Sequence, residues 1–285
     1  MGAITGQGQS FNLPNYVGEL FNVSPTDTPL LSAIGGMTGG ISVSSKQFTW
    51  QTTDLAGAAQ TAVVEGADPT MKGRTRSEVS NVTQIMQYGV EVSYTKQAAV
   101  GNIAGESIIC NQPVQDELAF QLDMAMKTAA RDIEHSFIQG AYNAGANITT
   151  PRKTRGMLAA VTTNEVAGGA AALTQAKVES ALKKMADSGA PFEMPVIFAN
   201  AFQKQKLSSI YSSALALAPR DRNIGGVNIT TIETDFGQVG IVFERHIPAD
   251  DVLIADLAFL KPVFLDIPGK GHFFVEPLAQ TGAAY

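Results

Sequence analysis

Between Ile41 and Tyr94 the chain carries a strand-patterned excursion with almost nothing of its own to pack against. Val82, Met86, Tyr88, Val90, Val92 and Tyr94 fall on one face. Thr83, Gln87, Gly89, Glu91, Ser93 and Thr95 fall on the other, a period of two interrupted only at Gln84 and Ile85. At about 3.3 Å per residue this run is about 43 Å long, beyond the usual reach of a strand. A shorter arm leads out to it: Ile41 and Val43, then Phe48 and Trp50 after a one-residue phase shift that reads as a bulge. The connecting tip is small and polar, with Ala56-Gly57-Ala58-Ala59, Glu65-Gly66, and then Lys72, Arg74, Arg76 and Glu78. An isolated hairpin is marginal in water. One this long is expected to lie over another subunit, which points to assembly rather than chemistry.

Composition agrees with that direction. Hydrophobic residues make up 45%, enough for a core and incompatible with general disorder. Charged residues are only 16%, well below the usual quarter. Low charge with many small residues suits a subunit that hides surface against copies of itself; an alanine-rich bacterial protein has the same composition. The net charge of −6 excludes electrostatic nucleic-acid binding by the whole chain, though a weakly acidic wall can line a DNA-filled volume. The single cysteine, Cys110, permits no internal disulfide. The N-terminus lacks the basic and apolar regions of a signal peptide, and no apolar stretch reaches membrane-span length, so no membrane role is expected.

Residues 1–40 read as an arm. Phe11, Leu13, Tyr16, Val17, Leu20 and Phe21 have helical spacing, and Leu30, Leu31 and Ile34 form a short helix ended by Gly35-Gly36. A further short helix is expected within 96–109. The strongest element is a helix from about Pro113 to Gln139. Leu118, Leu122, Met126, Ala129, Ile133 and Phe137 make one continuous face, and Asp116 and Glu117 lie in the first turn. At 1.5 Å per residue it spans about 40 Å. Residues 141–173 read as loop.

Residues 174–256 read as an α/β unit. A helix capped by Thr174 turns Val178, Leu182 and Met185 inward and stops at Gly189. Pro195–Ala199 is a buried strand, and Asn200 caps a helix carrying Phe202, Leu207 and Ile210. After the loop 212–226, Val227–Ile232 and Val239–Phe243 form a hairpin about Asp235-Phe236-Gly237, and Val252–Leu257 is another strand. Pro262–Ile267 and His272–Glu276 are two further strand-like runs.

The search for chemistry returns no catalytic, cofactor-binding or metal-binding set. His135 lies beside Glu134, but adjacent helical residues point to different faces, and there is no His-Glu-x-x-His spacing. His246 with Asp250 and Asp251 reads as a solvated loop, and His272 as structural. Cys110 precedes a helix start, where a thiol can be acidified, but reads as an inert cysteine. There is neither a Gly-x-Ser-x-Gly elbow nor a phosphate loop. Arg152, Lys153 and Arg155 are the only dense basic cluster; without interleaved aromatics they read as a solvated loop rather than a polyanion site.

The order of segments, and the phrases Ser77–Ile85, Val90–Thr95, Thr154–Leu158 and Thr234–Val239, resemble the major capsid protein of tailed bacteriophages, with the Hong Kong 97 fold. The resemblance covers essentially the whole chain. It implies an α+β fold with an N-terminal arm (1–40), an extended loop or E-loop (41–95), and a peripheral domain (96–156 and 257–285) with a spine helix at about 113–140. It also implies an axial domain (157–256). Such a subunit self-assembles into hexamers and pentamers, forming an icosahedral shell around double-stranded DNA in the virion. Assembly takes place in the host bacterial cytoplasm, with a portal, and with scaffolding expected from a separate protein because no charged helical segment precedes the arm. Phe48, Trp50, Lys72, Arg74, Arg76, Arg220 and Arg222 are the implied inter-subunit contacts, and some relatives crosslink through a lysine in the region of Lys72. An encapsulin-like compartment shares the fold. An α/β enzyme with a dimerisation hairpin is the rival from another class, and would hold a ligand within 174–256.

Overall fold

The computed structural model describes residues 24–98, 116–169, 171–214 and 230–278. The helical spacing Phe11–Phe21, Cys110, the helix start at Pro113, Arg220, Arg222 and the strand residues Val227–Ile229 lie outside the described residues. In chain order the elements are α1 (Pro29–Ala33), β1 (Ile41–Val43), β2 (Gln47–Thr53), β3 (Arg76–Val82), α2 (Tyr94–Ala98) and α3 (Glu117–Gln139). Then follow α4 (Met157–Ala160), α5 (Gln175–Asp187), β4 (Pro195–Ala199), α6 (Ala201–Ala214), β5 (Thr231–Thr234), β6 (Gly237–Phe243), β7 (Val252–Asp256) and β8 (Val263–Leu265). The chain divides into two compact units, one of residues 1–27, 86–131 and 275–285, the other of residues 28–85 and 132–274.

The larger unit is built on a mixed four-stranded sheet of order β5-β6-β4-β7. β4 runs parallel to β6 and antiparallel to β7. Alternate residues of a strand face opposite sides, and β4 uses both. Ile197 and Ala199 join Val178 and Leu182 of α5 and Leu207 and Tyr211 of α6 in one core. Val196 and Phe198 join Leu30 of α1, Ile138 of α3, Ile247 and Leu253 in a second, against which Met157 and Leu158 of α4 pack. A strand covered on both faces must be apolar throughout, which is why Pro-Val-Ile-Phe-Ala is buried at every position.

Local signals explain the helix ends. Asn200 Oδ1 accepts the Gln203 N–H at 2.9 Å, capping α6. Beyond α5, Gly189 takes φ +82, and the Ala190 N–H reaches back to the Met185 carbonyl at 3.0 Å. Thr174 holds the N-cap position of α5, but its hydroxyl makes no capping bond. On α6 the inward face is Gln203, Leu207 and Tyr211; Phe202 is 58% exposed because it stands off that row.

In the smaller unit, Asp116 is the N-cap of α3 rather than a first-turn residue. Its Oδ1 accepts the Leu118 and Ala119 N–H groups at 3.0 and 3.1 Å. Lys96 of α2 lies 3.8 Å from Glu117.

Three strand expectations are corrected. β3 ends at Val82, opposite Gln47; among the described residues, 83–92 form no strand, and Tyr94 begins α2. An alternating sequence whose backbone is not laddered to a neighbouring strand makes extended chain, not sheet. The phase shift between Val43 and Phe48 is a break between two strands rather than a bulge: β1 pairs in parallel with β8, and β2 with β3. His272–Glu276 forms no strand; Gly271, just before it, makes a single bridge to Ile267.

Candidate assembly interface

β2 and β3 form an antiparallel ladder of seven pairs, Gln47↔Val82 through Thr53↔Arg76, about 24 Å long at 3.4 Å per residue. Its root is fastened to the segment after α3 by side chains that imitate a further strand. Asn81 Oδ1 accepts the Arg155 N–H at 2.9 Å, and Asn81 Nδ2 donates to the Arg155 carbonyl at 3.3 Å. Gln84 Oε1 accepts the Thr154 N–H at 3.1 Å. The Thr83 N–H and hydroxyl both donate to the Lys46 carbonyl. Two of the short phrases noted in the sequence, Ser77–Ile85 and Thr154–Leu158, are thereby brought together.

Away from the root every residue of the hairpin from Thr49 to Glu78 is exposed. Phe48 and Trp50 share a face and stack with ring centroids 6.2 Å apart, Phe48 half-buried and Trp50 46% exposed. Lys72 and Arg74 stand in the exposed tip, while Arg76 closes the ladder and donates to Gln51 Oε1 at 3.1 Å. The tip also carries what the basic residues drew attention away from: Leu55, Val63, Val64 and Met71 are 77–88% exposed. Burying one such side chain fully stabilises a complex by about 1.5–3 kcal/mol, against about 0–1 for an exposed ion pair. The apolar residues are the larger energetic reserve.

The basic cluster is split by the fold. The Arg155 guanidinium lies 4.8 Å from the centre of the Tyr142 ring, Lys153 bridges Asn143 through its backbone, and Arg152 is half-buried. The histidines are likewise structural. His135 meets His246 edge to face at 5.6 Å, and His272 stacks on Phe264 with its ring nitrogens on Asp266 and the Met37 carbonyl. Among the described residues no group of three or more His, Cys, Asp or Glu side chains is placed to hold a metal, and no described helix is long and apolar enough to cross a membrane. Sequence reasoning missed Glu134 and Glu244, both wholly buried. A carboxylate inside a helical apolar stretch carries no local signal of its distant partner.

A comparison with curated proteins finds no match. Among solved structures the chain is similar to the capsid asymmetric unit of cyanophage A-1(L). The TM-score is 0.63 and the identity 16%, with 92% of this chain and 80% of that one covered. It is also similar to the capsid of a native GTA particle, with a TM-score of 0.53, 12% identity, and 87% of this chain and 78% of that one covered. At these identities the likeness is one of fold: a mixed helix-and-sheet capsid subunit. The family described as SU10 major capsid protein matches residues 3–285. With nearly the whole length matched, the chain belongs to the SU10 major capsid protein family, and is a structural protein of a phage head shell.

Proposed function

We propose that this subunit forms hexamers and pentamers of an icosahedral shell enclosing double-stranded DNA, with the domain layout of the Hong Kong 97 fold. Residues 1–40 are the N-terminal arm, 41–95 the E-loop, 96–156 and 257–285 the peripheral domain with the spine helix at about 113–140, and 157–256 the axial domain. The parallel pairing of β1 with β8 supports grouping the base of the loop with the return segment. Phe48, Trp50, Lys72, Arg74 and Arg76 contact a neighbouring subunit, joined by Leu55, Val63, Val64 and Met71. Arg220 and Arg222 meet their counterparts' surfaces near the capsomer axis. The DNA is enclosed without sequence-specific binding, which the net charge of −6 supports. A separate scaffolding protein and a portal act during assembly in the host cytoplasm.

The observation that carries this reading is the uncovered hairpin from Thr49 to Glu78. Apolar side chains left this exposed mark a protein–protein contact. Negative-stain electron microscopy of the expressed protein, alone and with a scaffolding protein from the same genome, tests it. Closed shells or flat sheets of hexamers are the expected result. A uniform population of dimers or tetramers under both conditions contradicts it, and packaged protein in place of DNA indicates an encapsulin-like compartment.

A further inference from the structure

Glu134, near the end of α3, and Glu244, just past β6, are both completely shielded from solvent. Each carboxyl is held on one side by a backbone amide. The Leu30 N–H of α1 donates to Glu134 Oε1 at 2.9 Å, and the His246 N–H donates to Glu244 Oε1 at 2.9 Å. On the other side both Oε2 atoms are buried without a hydrogen-bond partner, and Glu244 is the carboxyl whose proximity acts on Glu134. An ionised carboxylate only accepts. A hydrogen bond between two carboxyls therefore requires a proton, and two ionised groups here would bury two like charges together.

We propose that Glu134 and Glu244 share one proton at neutral pH, and that this pair is a pH-sensitive latch joining α3 to α1 and to the β6–β7 turn. Removing the proton in alkali sets two carboxylates against each other and releases the junction. Leu30 lies on the segment that leads through Gly35–Gly40 into β1 and the hairpin, so the latch sits at the start of the stretch that runs outward.

α1, α4 and β4 carry no ionisable side chain. The titratable and charged groups nearest in the chain are Asp132 and the exposed His135 on α3, with Arg245, His246, Asp250 and Asp251 on the β6–β7 connection. The charge acting on Glu134 is that of Glu244. Burial is the main cause that holds Glu134 in its acid form, pushed up to about 9, with the Leu30 and Leu31 amides pulling the other way.

Infrared difference spectroscopy on unassembled subunits and on shells tests the proposal directly. The intact protein at neutral pH is expected to show the C=O stretch of a buried protonated carboxyl, lost in Glu134→Gln and shifted in frequency in Glu244→Gln, where burial still holds the Glu134 proton but its partner is changed. The melting temperature of the intact protein should fall as pH rises from about 4.5 to about 9, whereas Glu134→Gln, whose amide donor cannot be titrated, should hold level. Absence of a protonated carboxyl at neutral pH overturns the latch, as do superimposable melting profiles for the intact protein and Glu134→Gln across that range. Should Glu134→Gln fail to fold, Glu244→Gln and the spectrum of the unaltered protein still decide the question.

Discussion

Asn81 grips the peptide of Arg155 from both sides, accepting its N–H at 2.9 Å and donating to its carbonyl at 3.3 Å. One side chain thus does the work of a strand edge and fastens the outgoing hairpin to the segment that follows α3. Asn81→Ala leaves both groups without that partner and is expected to cost about 1–3 kcal/mol. Asn81→Asp keeps the acceptor and faces the Arg155 carbonyl with a second oxygen, so it should be no less harmful. Urea midpoints of the subunit measure both, and a midpoint unchanged in either variant would remove the clamp from the account.

Gly140 and Gly156 allow the end of α3 to touch the returning chain, with the Gly156 N–H donating to the Gly140 carbonyl at 2.8 Å. A Cβ at Gly156 would stand 2.4 Å from the Gly140 nitrogen, and one at Gly140 would stand 2.3 Å from the Ser136 carbonyl oxygen. These are backbone atoms that cannot swing aside. Gly156→Ala is expected to destabilise by at least about 1–3 kcal/mol, the usual cost of overpacking. Thermal melts of the purified subunit give the comparison.

Two kinds of apolar residue should behave oppositely. Leu207 is fully buried beneath the sheet, so Leu207→Ala should lower subunit stability by about 2–5 kcal/mol. Met71 is 88% exposed, so Met71→Ser, or Val63→Ser with Val64→Ser, should leave the melting temperature alone and lower the yield of shells. Loss of subunit stability in the tip variants would mean that the tip packs on its own chain.

The sign of the pH dependence follows from Glu134. Its value in the folded chain, about 9, lies above its ordinary 4.5, so the folded state holds the proton more tightly. Its contribution to stability is complete below pH 4.5 and declines as pH rises toward about 9. The decline is at most about 1.4 kcal/mol per pH unit for one proton. Urea titrations at a series of pH values read that slope, which Glu134→Gln should abolish.

The legible parts of this fold are those written locally. The buried run Pro195–Ala199, the Asn200 cap, the Gly189 stop and the α1 stripe of Leu30 and Leu31 each rest on near neighbours, and each stands where its residues indicate. Pairings between distant segments were not legible. Nothing in Ile41–Val43 announces Val263–Leu265 as its parallel partner, and nothing in Val82–Tyr94 reveals that β2 ends before most of that run can pair. At the interface, the sequence drew attention to the charged tip residues, but exposure singles out Leu55, Val63, Val64 and Met71. Glu134 was read as one half of an unpromising Glu-His pair, because a buried acid is recognisable only once Glu244 stands beside it.

The central claim is that the hairpin beyond its root is an assembly contact rather than part of the subunit's own core. Excising residues 54–75 and closing the ladder with a short glycine linker, then examining the product by circular dichroism and electron microscopy, tests it most directly. The expected result is a subunit with unchanged helix content and melting temperature that forms no closed shells. Normal shells from the shortened chain would contradict the claim.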